Sequence, residues 1–242
     1  MNNLATMEKN KNCVETKIDF SGDLSNEYDD IVHKIIPAYQ TLYELTQHLL
    51  RDKLGAEAKI LVSGAGTGKE IIDCSQNNPN WSFTGFDPAE PMLTIARKKV
   101  TAASLTNRIS LVHGLINDVA EKEFDAATSI LVMHFLPDDG TKLSFLKGIA
   151  DKLKSGAVLI LVDLEGEKGS DEFNSLNSAW KDQQLFKRGD KEKVKDEFEL
   201  RDKEVHCITQ KRTESLLEEA DFIKIQIFFK AYLFSGYVAV KK

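Results

Sequence analysis

An α/β fold with a seven-stranded, mostly parallel sheet is predicted by three observations on this 242-residue chain. Short apolar runs alternate with helical patterns, from "KILVSG" through to "GAVLILVDL". The first run breaks directly into glycines, giving "ILVSGAGTGKE" at residues 60–70, and such loops sit where ligands bind at the carboxyl ends of parallel strands. The chain then closes on "FIKIQIFFKAYLFSGYVAVKK", two strand-like runs spaced to pair as an antiparallel hairpin. Alternation of this kind builds a parallel sheet with helices on both faces.

Taken in order, residues 1–22 are polar and aperiodic, which predicts a disordered tail. Residues 23–54 follow as a helical cover. In them Ile31, Ile35, Ile36, Leu42, Leu45, Leu49 and Leu50 recur at helical spacing, and Pro37 divides the run into two helices. The glycine stretch leads into helical "EIIDCSQNN", strand "WSFTGFD", helical "PMLTIARKKVTAAS" and strand "RISLVHG". Strand "FDAATSILVM", helical "TKLSFLKGIADKL" and strand "GAVLILVDL" complete the alternation. Residues 165–207 are charged and poor in β-branched runs, so they form a helical insertion, a lid outside the sheet, whose apolar anchors are Phe173, Trp180 and Phe186. A helix at "KRTESLLEEA" then precedes the hairpin, and residues 23–242 make one domain.

Composition narrows the function. With 42% apolar residues the chain fills one large core, and a net charge of −6 opposes a broad nucleic-acid footprint, so a small-molecule partner is expected. A homodimer is left open. Cys13, Cys74 and Cys207 are odd in number and never spaced as a zinc pair or a redox pair, which predicts a reduced, cytoplasmic protein with no bound metal. No apolar stretch suits export or a bilayer.

Three ligands compete for the glycine stretch. A P-loop needs glycine five places before Gly68 and a hydroxyl after Lys69, whereas Ser63 and Glu70 stand there. A dinucleotide loop is G-x-G-x-x-G, whereas Gly64, Gly66 and Gly68 give G-x-G-x-G. Asp87, nineteen residues after Gly68 at the end of "FTGFD", offers a carboxylate for two ribose hydroxyls, as nicotinamide and S-adenosylmethionine sites both require.

The ordered motifs "ILVSGAGTG", "FTGFDPAEPML", "LVHGLINDV", "FDAATSILVMHFL" and "LKSGAVLILVDL", closed by the hairpin, resemble the class I S-adenosylmethionine-dependent methyltransferases. The resemblance spans residues 57–240 and implies a Rossmann-like sheet and S-adenosyl-L-methionine as cofactor. It implies that Gly64, Ala65 and Gly66 lie against the methionine part, that Asp87, Pro88 and Met92 hold the ribose side, and that Leu115, Ile116, Leu131 and Val132 complete the site. Two departures stand out. Val62 replaces the acidic residue the family usually has two places before the first glycine, and Leu115 replaces the Asp that often follows the "HG" turn. Ser63, Asn117 and Asp118 are the candidate substitutes.

A narrower resemblance, in "FSGDLSNEYDDIVHKIIPAYQTL" and "FSGYVAVKK", points to the carboxy-S-adenosylmethionine synthases, which remake the cofactor on the way to a modified tRNA wobble uridine. Those proteins begin the glycine loop Gly-Cys-Ser and use a lid arginine, for which Arg188 and Arg201 are the candidates. The expected function is methyl transfer to a small acceptor. The alternatives are synthase-like chemistry, a nicotinamide oxidoreductase or a non-catalytic cofactor-binding protein.

Methyl transfer from a sulfonium is an in-line displacement that asks mainly for positioning and exclusion of water. His134, after the fourth strand in "LVMHFLPDD", is the candidate general base. Tyr28 and Tyr39 of the cover are candidate catalytic-site residues, whose phenols would hydrogen-bond the carboxylate or line the acceptor pocket, with Tyr43 expected in ordinary packing. Asp163 and Glu165, at the end of the fifth strand, would bind a cationic acceptor or cap a lid helix, and His113 is expected to be structural.

Overall fold

The computed structural model describes residues 23–242, with side chains from Tyr28 onward; the tail expected over 1–22, and Cys13, lie outside the described residues. Seven strands form one sheet: β1 (Ala58–Ser63), β2 (Trp81–Asp87), β3 (Ile109–His113), β4 (Phe124–Ile130), β5 (Leu153–Leu164), β6 (Phe222–Ala231) and β7 (Phe234–Lys241). Their spatial order is β3-β2-β1-β4-β5-β7-β6. β7 is antiparallel to both of its neighbours, while every other pairing is parallel. The sheet is therefore Rossmann-like, with its sequence-final hairpin turned so that the last strand enters beside β5.

Alternation along the central strands divides the core in two. Ile60 and Val62 belong to one apolar cluster and Leu61 to the other, as a side-chain period of two requires. On the first face pack α1 (Asp23–Ile35), α2 (Tyr39–Lys53), α3 (Lys69–Asn77), α4 (Glu90–Ala102), α6 (Asp171–Arg188) and α7 (Lys191–Glu204). On the second pack α5 (Thr141–Ala150) and α8 (Gln210–Glu219), through Leu146, Ile149, Leu216 and Leu217. Pro37 divides the first two helices, and Ala38 turns the chain through a left-handed φ of 52° before α2 begins.

The fourth strand ends earlier than its apolar run suggests. After Ile130, Leu131 donates its N–H to Val162 O at 2.8 Å and takes a φ of 61°, so the chain leaves the ladder and Met133–Phe135 form a single 3-10 turn. That bend carries Val132 and His134 over the carboxyl edge of the sheet.

The insertion after β5 is two capped helices. Ser170 and Asp190 accept from the Phe173 and Lys193 N–H groups at the two N-termini. Phe173 and Trp180 are buried, and Trp180 Nε1 donates to Ile35 O at 2.7 Å, which ties the lid to the end of α1. Phe186, expected as a third anchor, is instead 90% exposed. The buried stripe of α6 runs through Phe173, Trp180 and Gln184, and a residue two places beyond Gln184 falls on the opposite face. Val194 and Phe198 of α7 supply the missing anchorage.

At the free edge of the sheet, β6 is irregular. Its register with β7 shifts between Ile223 and Gln226 and again between Ile227 and Phe229, and Lys224 takes a φ of 53°.

Candidate functional site

A cavity of about 1360 Å³ opens at the carboxyl ends of β1, β2 and β4, between the cover and the lid. Its wall includes every expected cofactor residue: Gly64, Ala65, Gly66, Asp87, Pro88, Met92, Leu115, Ile116, Leu131 and Val132. Tyr28, Tyr39 and His134 also reach it, as do Tyr43 and His113, which were expected elsewhere.

The glycine loop is built from backbone. Gly64, Gly66 and Gly68 have φ of 68°, 51° and 79°. At Gly64 a Cβ would come within 2.4 Å of Val132 Cγ2, so no larger residue fits without moving the β4 end. Gly64 and Ala65 donate to Phe86 O, and Gly66 N–H donates to Asp87 Oδ2 at 2.9 Å. Ala89 N–H takes the other carboxylate oxygen at 2.8 Å. Burial pushes the Asp87 carboxyl upward, against these two donors and His113, which favour its charge.

The cover is clasped to this loop by one carboxylate. Asp29 of α1 accepts from Thr67 Oγ1 at 2.6 Å and pairs with Lys99 of α4. Behind it, burial, assisted by Asp29 and Asp87, raises the Tyr28 phenol to about 12. Tyr39 is raised further, again chiefly by burial, and meets Tyr43 edge-on at 4.7 Å. Both phenols therefore act as hydrogen-bonding groups and not as bases near neutrality.

At the β4 end, His134 is 5% exposed and its Nδ1 is hydrogen-bonded to Asp163, which also accepts the His134 N–H at 3.1 Å and the Leu164 N–H at 2.9 Å. Glu165 accepts from Tyr237 Oη at 2.5 Å. The expectation that Asp163 and Glu165 meet an acceptor or cap a lid helix is thus corrected: both are buried on internal partners, and Ser170 and Asp190 supply the caps.

On the lid side, Trp180, Phe198 and Arg201 line the cavity. The Arg201 guanidinium carbon lies 4.6 Å from the Trp180 ring and 4.2 Å from the Phe198 ring. Its Nη2 reaches Asn177 and Asp202, while Nη1 is buried without a partner. Arg188 is committed to Glu197 through both nitrogens. Of the substitutes considered for the missing acceptors, Asn117 lines the cavity, whereas the Asp118 carboxylate is engaged by Leu115 N–H at 2.7 Å and Ser63 is buried off the wall. Four carboxylates of the cavity, Asp29, Glu70, Glu90 and Glu197, were given no role from the sequence. Asp29 gave no local signal, whereas Glu70 did, as an acid in the first turn of the helix after the glycine loop.

The residues fit an adenosyl-amino-acid cofactor. A backbone cradle that excludes a Cβ at Gly64 leads to a carboxylate that can accept from a diol, and apolar Met92, Leu115 and Ile116 offer faces for a base.

Comparison with known proteins agrees with this geometry. Residues 61–159 match the family model described as a methyltransferase domain. The chain is 24% identical over 238 residues to a carboxy-S-adenosyl-L-methionine synthase of Nautilia profundicola, covering 94% of this chain and 96% of the relative. It is 28% identical over 233 residues to the like-named protein of Methylococcus capsulatus, covering 92% and 93%. Among solved structures, the magnesium protoporphyrin IX methyltransferase of Synechocystis PCC 6803 with bound SAH superposes with a TM-score of 0.67 at 14% identity, over 92% of this chain and 96% of that one. Among the described residues no helix is long and apolar enough to cross a membrane.

Proposed function

We propose that this chain, which has the fold of the class I S-adenosylmethionine-dependent methyltransferases and a methyltransferase domain at its centre, binds S-adenosylmethionine in the cavity and alkylates a small acceptor. The observation that supports it most is Asp87, a buried carboxylate that joins the glycine loop to the turn after β2 and keeps further lone pairs for a ribose diol. The G-x-G-x-G spacing and the reversed β7 favour this reading over a nicotinamide oxidoreductase.

When bound, the cofactor supplies a methyl group activated by a sulfonium. The chain's part is to hold the acceptor in line, exclude water and take a proton. The cavity, closed by Trp180 and Phe198, serves the first two tasks and exceeds the room a single cofactor needs. His134 serves the third: with Nδ1 on Asp163, Nε2 is the nitrogen left to accept the proton of an acceptor hydroxyl or amine.

The test is calorimetry with S-adenosylhomocysteine. Asp87→Ala should weaken binding by roughly 1.5–3 kcal/mol, about one to two decades. Unchanged affinity would remove the ribose assignment, and good binding without turnover on any acceptor would favour a non-catalytic role.

A second reading is favoured by Arg201, whose Nη1 is buried and unpartnered on the cavity wall, together with the names of the curated relatives. In that reading the cofactor carries an extra carboxylate. Mass spectrometry of the nucleoside that co-purifies separates the two, because a carboxylated species and ordinary S-adenosylhomocysteine differ in mass.

A further inference from the structure

Five carboxylates line the cavity, and four of them are engaged. Asp29 holds Lys99 and Thr67, and Asp87 holds the Gly66 and Ala89 N–H groups. Glu90 pairs with Arg97 through both oxygens, at 2.5 and 3.3 Å, and Glu197 pairs with Arg188 in the same way. Glu70 is the exception: among the described residues no lysine, arginine or histidine is paired with it. Its neighbour Lys69 is turned to Asp73 at 2.9 Å.

The place of Glu70 gives this vacancy a purpose. It stands in the first turn of α3, directly after the glycine loop, and the hydroxyl beside it belongs to Thr128 of β4. Thr128 is the register partner of Val62, so the Glu70 carboxyl lies near the part of the sheet where β1 pairs with β4 and Val62 offers no charge. The titratable groups that face Glu70 are Tyr39 and Tyr43 from α2 and Cys74 from its own helix, none of them a cation. A half-buried acid facing a cavity with no countercharge is unfavourable until a cation arrives.

We infer that Glu70 is the receptor for the α-ammonium of the cofactor's methionine half, serving from α3 the corner that Val62 leaves uncharged. The inference rests on the cofactor reading above and deepens it. It makes cofactor affinity sensitive to pH. Burial raises the Glu70 carboxyl to about 7, against the Thr128 hydroxyl, which favours the charge. An ammonium ligand binds the ionised form, so affinity rises with pH through neutrality. Burial keeps Tyr39, Tyr43 and Cys74 protonated throughout that range.

The experiment titrates the protein with S-adenosylhomocysteine, which has the ammonium, and with 5′-methylthioadenosine, which lacks it. From pH 6 to pH 8 the first should bind about tenfold more tightly relative to the second, following the ionised fraction of Glu70. In Glu70→Gln, S-adenosylhomocysteine should lose roughly tenfold or more in affinity and its pH dependence, with 5′-methylthioadenosine unchanged. Wild-type affinity for S-adenosylhomocysteine in the variant, or equal weakening of both ligands, would overturn the assignment while leaving the cofactor site standing. If neither ligand bound the wild type, the cofactor reading itself would fall, and this inference with it.

Discussion

The two ends of the cavity are made of different materials. At the glycine-loop end the working contacts are main-chain N–H groups, from Gly64 to Ala89, gathered on Phe86 O and on the single carboxylate of Asp87. At the lid end they are side chains: Trp180, Phe198 and Arg201 stack on one another, and one indole hydrogen bond joins them to α1. A backbone site depends on the fold and on where glycine is allowed. A side-chain site can change residue by residue without disturbing the sheet, so the lid end is the adaptable half.

Substitutions that act on one end only sharpen this contrast. The largest effect belongs to Trp180→Ala, which empties a buried position shared with Phe198 and Phe234 and leaves Ile35 O without its donor. It should cost about 3–5 kcal/mol of stability, read as a lower denaturant midpoint; a loss below about 1 kcal/mol would mean that the lid is not docked as described. Next is His134→Ala. Turnover on a methylated acceptor should fall by about 10²–10⁴-fold with S-adenosylhomocysteine affinity kept, and retained kcat would leave His134 as a packed ring only. The smallest effect is expected from Phe186→Ser. Although it stands in the same lid helix, its ring is exposed, and thermal unfolding should shift by no more than about 0.5 kcal/mol.

Legibility followed the same division. The glycine loop, the carboxylate after β2 and the alternation of elements could be read because each is fixed by local geometry: left-handed glycines and a strand ending directly before Pro88 leave marks in order along the chain. The lid could be read as helical but not oriented, since α7 is charged nearly throughout and only Val194 and Phe198 are buried, so Phe186 was given an anchoring role that its helix face denies it. Asp163 and Glu165 show a further limit. Their position at the strand end was legible, but not the His134 and Tyr237 groups that occupy them, which come from 29 and 72 residues away. Glu70 was legible as an acid after the glycine loop and as a mismatch to a P-loop, but its significance depends on Thr128, a residue of another strand.

The irregular edge at β6 bears on how the molecule behaves among its own copies. A straight, unpaired strand with Ile223 and Ile227 facing outward would be a template for a second chain to add on to, and the exposed isoleucines are there. Two breaks in register and a left-handed Lys224 disturb the repeat along that strand, so an incoming strand meets no continuous row of partners. The distortion therefore works against strand addition at this border, which contributes nothing to the cavity wall and is independent of what the cavity binds.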